Sequence, residues 1–99
     1  METLSYVVLI ERTKMYNKMT KSVRETHVEN IRNLDKAGKL ELCGIFKGYP
    51  GVAGMYILKV QSYEEAEEIC KNEPLVVGGY ATYKLISFKL ANKENNYLL

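Results

Sequence analysis

The sequence predicts an α+β fold in which a four-stranded antiparallel sheet carries two helices on one face. Three observations predict it. Four runs rich in aliphatic and aromatic residues, at 4–11, 40–47, 53–60 and 80–90, have the composition of strands. Two intervening segments, 22–37 and 62–72, open on Ser-x-x-Glu and place apolar residues at spacings of three and four, as helices do. The resulting order, β-α-β-β-α-β, is the split βαβ arrangement, the ferredoxin-like two-layer sandwich.

Each element has its own justification. The first run, LSYVVLIE, puts Leu4, Tyr6, Val8 and Ile10 on one face and Ser5, Val7 and Leu9 on the other. Both faces are largely apolar, so both should be covered. In the first helix, Ser22 and Glu25 fit a capping box, while Arg24, His27, Ile31, Leu34 and Gly38 share one face. Gly38 supplies the left-handed residue that ends such a helix. Gly48-Tyr49-Pro50-Gly51 is a turn signal, which makes the second and third strands a hairpin. Ser62 and Glu65 repeat the capping box, and Tyr63, Ala66, Ile69 and Cys70 form the stripe of the second helix. Pro74 forbids its continuation past Glu73. Gly78-Gly79 turns the chain into the fourth strand, and the tail ANKENNYLL is polar until its last three residues.

At 99 residues the chain is expected to form one domain over 1–99, with a core of about 4–90 and a tail of 91–99. Apolar residues make up 46%, enough for a core. With both helices on one sheet face, the other face has no cover within the chain. The simplest cover is a second copy, giving a homodimer packed sheet against sheet, or a higher oligomer built from it. Val7 or Val8, Met55 or Tyr56, and Leu85 or Ile86 would line that contact.

Composition excludes several functions. Fourteen Lys and Arg against twelve Asp and Glu leave a net charge of only +2, which gives no global drive toward nucleic acid. The aromatic motif of RNA-recognition sheets is absent, and Gly48, Gly51 and Gly54 lack the Lys-Ser/Thr ending of a phosphate loop. No run is long enough to span a bilayer, and the start lacks signal-peptide features, so a cytoplasmic protein without membrane partners is expected. Cys43 and Cys70 belong to no CxxC pair, and with one histidine they argue against a metal site. They read as reduced, partly buried thiols without chemistry. No cofactor motif is present, and no cofactor is expected.

Topology says more about chemistry than any local motif. In a split βαβ unit the first helix starts at the sheet end where the second helix stops, and the hairpin turn lies there too. The 12–21 connection, Arg24, His27, the 48–51 turn and Glu73 should therefore cluster. His27, the single histidine, is the candidate acid–base group, and Glu73 is the carboxylate that can reach it. The alternative is a half-buried structural histidine bonded to backbone. Arg24 could hold an anionic group bidentately, or pair with Glu25 or Glu73 at the surface. Tyr49 could donate its hydroxyl from the hairpin tip, or pack against its neighbours. Arg12, Lys14, Lys18, Lys21 and Arg24 form a stretch without an acid, a rim that attracts an anion or a solvated loop.

The run Arg24-x-x-His27, Leu34, Gly38, Leu40 and Gly44 resembles the R-x-x-H…L…G-x-L…G pattern of YciI-like proteins. Gly54, Ser62-Tyr-Glu-Glu-Ala66, Asn72-Glu73-Pro74 and Gly79 continue the likeness over about residues 4–90. The resemblance implies a dimeric α/β-barrel of ferredoxin-like subunits, with a cleft holding a His–Asp pair for acid–base catalysis. It also implies, for some relatives, small cyclic and often chlorinated substrates. His27 and Arg24 match the family's histidine and arginine. The family's Asp-Pro is Glu73-Pro74 here, one methylene longer, and its Gly-Pro after the second strand is Gly44-Ile45.

Two functions fit this reading. One is a cofactor-independent lyase, isomerase or dehydrohalogenase acting on a small anionic organic substrate, with His27 moving a proton, Glu73 orienting it, and Arg24 and Tyr49 binding. The other is a noncatalytic ligand-binding or scaffold dimer using the same cleft.

Overall fold

The computed structural model describes residues 4–99. Its elements run β1 (Ser5–Arg12), α1 (Lys21–Lys36), β2 (Leu40–Ile45), β3 (Val52–Leu58), α2 (Tyr63–Lys71), α3 (Pro74–Val77) and β4 (Ala81–Phe88). The strands form one sheet in the order β2-β3-β1-β4, with every neighbouring pair antiparallel. This is the ferredoxin-like arrangement expected from the order of elements.

Local chemistry sets the element ends. Thr20, not Ser22, caps α1: its side chain accepts from the Val23 amide, so the helix begins at Lys21. Both residues offer a hydroxyl before the apolar stripe, and the earlier one is used. Gly38, at φ +73°, ends α1 in a Schellman arrangement: the Lys39 amide reaches Leu34 O and the Gly38 amide reaches Asp35 O. Ser62 caps α2 as expected, accepting from Glu65 N at 3.1 Å, while Glu65 reaches back to the Gln61 amide. Pro74 does stop α2, and it also starts α3. A residue before proline is held extended, proline suits the first helical position, and the Glu73 side chain caps the Leu75 amide.

The core lies between the sheet and the helices. Tyr6, Val8 and Ile10 of β1 meet Tyr56 and Leu58 of β3, Ala66 and Cys70 of α2, Leu75 of α3 and Ala81 of β4, all buried. The opposite parity of β1, Ser5, Val7 and Leu9, faces away from the helices. There Val7 aligns with Ile57 and Ile86, and Leu9 with Met55 and Lys84. Ile86 and Phe88 are exposed on this face, so its apolar side is uncovered within the chain. Cys70 is buried as expected, but Cys43 is exposed, because β2 is an edge strand and residues 41–50 are all exposed.

Candidate active site

The end of the sheet where β1 finishes and α1 begins holds a cavity of about 40 Å³. Ile10, Tyr16, His27, Gly44, Ala53, Gly54, Tyr56 and Leu75 are among the residues that line it. That volume admits a water or the reacting edge of a ligand. Its floor comes from an irregularity in the β1–β3 ladder: Ile10 aligns with Gly54 and Glu11 with Val52, so Ala53 is skipped. Such a bulge brings two consecutive small residues to one wall. Gly54 is required by β2: a Cβ there would lie 2.2 Å from the Gly44 carbonyl oxygen.

His27 reaches this cavity from the second turn of α1, on the half-buried stripe shared with Val23, Ile31 and Leu34. Glu73, outside the lining, meets the His27 ring from the junction of α2 and α3. Its Oε1 lies 2.5 Å from His27 Nδ1, and its Oε2 accepts from the Leu75 amide at 2.8 Å. The side chain of Glu73 is 1% exposed and that of His27 is 21% exposed. An ionised carboxylate can only accept, so opposite it a neutral imidazole carries its proton on Nδ1 and keeps its lone pair on Nε2. The geometry fixes one imidazole tautomer by a carboxylate that is itself fixed by a backbone amide.

Tyr56 adds a third polar group. Its Oη lies 3.4 Å from His27 Nδ1, and the two rings are near parallel at 26°. Burial first, then the charge of Glu73 and a hydrogen bond to it, push the phenol well above its ordinary value, so Tyr56 stays a neutral donor. Sequence offers Tyr56 only as an alternative to Met55 for the open sheet face, whereas Tyr56 is buried on the helix-facing side. Its signal was parity, since it aligns with the core residue Val8 and lies two residues before Leu58.

The structure brings His27 and Glu73 together and places Arg24 and Tyr49 elsewhere. Arg24 is on the exposed side of α1, donates to the Met19 carbonyl at 3.3 Å, and borders a separate depression with Lys21, Glu25, Val28 and Arg32. Tyr49, 60% exposed, packs edge-on against Phe46 and borders a hollow with Leu9, Lys47 and Val52. Among the described residues no cluster of three or more His, Cys, Asp or Glu could hold a metal ion, and no helix is long and apolar enough to cross a membrane.

Comparisons with known proteins give the family of the chain. The chain is 30% identical to the uncharacterized protein YjpA of Bacillus subtilis (strain 168) over 86 residues, 87% of this chain and 95% of that protein. Its fold matches the 5-chloro-2-hydroxyhydroquinone dehydrochlorinase TftG of Burkholderia phenoliruptrix AC1100, solved in complex with 2,5-dihydroxybenzoquinone. The TM-score is 0.70 at 13% identity, covering 93% of this chain and 98% of that one. The YCII-related domain matches residues 4–89. The chain therefore belongs to the YCII-related family, over nearly its whole length.

Proposed function

We propose that the chain is a small acid–base enzyme of lyase, isomerase or dehydrohalogenase type, acting on a small organic substrate at the His27 cavity. The observation that carries the reading is the buried Glu73 carboxylate, 2.5 Å from Nδ1 of the histidine that lines the cavity. Glu73 holds the ring, and Nε2 takes a proton from the substrate. In a dehydrohalogenation the C–H electron pair becomes the new double bond, and the halide leaves with its own bonding pair. The fold likeness to a dehydrochlorinase supports this class of reaction without fixing the substrate.

The test is a turnover screen over small cyclic and chlorinated acids, comparing the wild type with His27→Ala. The reading expects loss of about a hundredfold or more, the usual contribution of a general base. Turnover that survives the substitution would contradict it.

A second copy covering the open sheet face belongs to the same reading. Val7, Leu9, Ile57, Ile86 and Phe88 form an apolar surface that a twofold mate would bury. Sedimentation at micromolar concentration should give a dimer, and Ile86→Lys should weaken it; a wild-type monomer would refute the assembly.

A further inference from the structure

The basic stretch of the 12–21 connection is unused by the His27–Glu73 pair, and its first member, Arg12, packs on the cavity-lining Tyr16. Arg12 follows Tyr6, Val8 and Ile10 at two-residue intervals, so it is on the helix-facing side of β1, next to the cavity-lining Ile10. Its guanidinium carbon lies 5.2 Å from the centre of the Tyr16 ring, and that ring also lines the cavity. Its Nη1 donates to the Tyr49 carbonyl at 3.1 Å, and its backbone amide donates to Gly51 O at 2.7 Å. The cation is thus held from two sides, by an aromatic face and by the hairpin.

Charge and donor count complete the picture. A guanidinium carries five N–H donors in a planar fork, so the bond to Tyr49 leaves donors for a ligand on this exposed side chain. The adjacent acid, Glu11, has the opposite parity and pairs across the strands with Lys84 at 3.6 Å. No acid occurs from residue 12 to residue 24. The cavity lining holds no carboxylate, lysine or arginine; the Glu73 carboxylate stands behind His27, bonded to its Nδ1 and to the Leu75 amide.

We propose that Arg12 is the anion-anchoring residue of the His27 cavity, receiving the carboxylate or similar planar oxyanion of a small unsaturated or aromatic acid whose reacting carbon enters beside His27. A fork stacked on Tyr16 is suited to bidentate recognition. The proposal rests on the acid–base reading only for which end of the ligand reacts. It transfers to Arg12 the role that spacing suggested for Arg24.

The test uses benzoate and benzamide, one charged and one neutral probe of similar shape, followed through the His27 imidazole resonances by NMR. Benzoate should perturb His27 and saturate. Arg12→Ala and Arg12→Gln should each weaken benzoate binding about tenfold or more, with unchanged melting curves as the check on folding. Arg12→Lys, which keeps charge and loses the fork, should weaken it less. Benzamide binding should not respond to Arg12→Gln. Wild-type His27 resonances untouched by benzoate, Arg12 variants that bind like wild type, or a loss that follows Arg24→Ala instead would each overturn the proposal. Failure of the acid–base reading is separately visible: Arg12-dependent benzoate binding with turnover that survives His27→Ala would keep the anchor and remove the base.

Discussion

Glu73→Gln should move a proton on His27 while leaving the fold intact. The wild-type carboxylate offers two acceptor oxygens, one to His27 Nδ1 at 2.5 Å and one to the Leu75 amide at 2.8 Å. Glutamine offers one. The Leu75 amide belongs to a buried residue and cannot turn away; leaving it unpaired would cost about 1–3 kcal/mol. An imidazole can instead transfer its proton to its other nitrogen. The amide oxygen therefore goes to Leu75, the amide NH2 faces Nδ1, and the ring proton sits on Nε2. Nε2 then has no lone pair for the cavity. A wrong-tautomer exchange disables the base without removing it, so the expected loss is about 10²–10⁴ and no larger than that of His27→Ala. Stability should fall by only about 1 kcal/mol, because volume and the Leu75 bond are kept. Glu73→Ala should cost about 3–5 kcal/mol, since it removes the cap and leaves buried donors without partners. Imidazole ¹⁵N shifts at pH about 9, where a free histidine is neutral, report the tautomer, and urea denaturation reports stability. An Nδ1–H tautomer retained in Glu73→Gln would refute the reasoning.

Three other predictions follow from separate parts of the fold. Gly54→Ala should lower stability by about 2 kcal/mol or more, because its Cβ meets the Gly44 carbonyl at 2.2 Å, whereas Gly44→Ala meets no atom within 4 Å; urea midpoints compare them. Burial pushes the Cys70 thiol from 9.0 up to about 12, so its stabilising contribution is full below pH about 9 and is lost as pH rises toward 12; Cys70→Ala should flatten that alkaline limb, and iodoacetamide on native protein should label Cys43 and spare Cys70. Thr20→Ala should cost about 1 kcal/mol in thermal denaturation and Ser22→Ala less, because Thr20 Oγ1 holds the Val23 amide.

Much of the architecture was legible because local and global signals agreed. The caps at Gly38 and Ser62 were readable from residue type and spacing. The meeting of His27 with Glu73, 46 residues apart, followed from the direction of the elements in a split βαβ unit. The start of α1 misled because Thr20 and Ser22 both carry capping chemistry, and the acid at Glu25 pointed to the wrong one. Helix α3 was hidden because Glu73-Pro74 reads as a stop, although the same residues can cap and begin a helix.

The surroundings of the pair were less legible. Arg24 and His27 are three positions apart, which leaves them about 60° apart around a helix of 3.6 residues per turn, enough to turn the guanidinium onto Met19 O. Arg12 approaches Tyr16 because the connection folds back, with Thr13 Oγ1 donating to Gly79 O at 2.7 Å. No periodicity encodes that path.

Whether His27 and Glu73 act as one unit is read from a double-mutant cycle on kcat/KM. His27→Gln, Glu73→Gln and the double variant would be compared on any substrate that the wild type turns over. Strong non-additivity is expected, with the double variant no slower than His27→Gln by more than about threefold, because Glu73 acts only through the ring it holds. Losses that multiply across the two substitutions would contradict it.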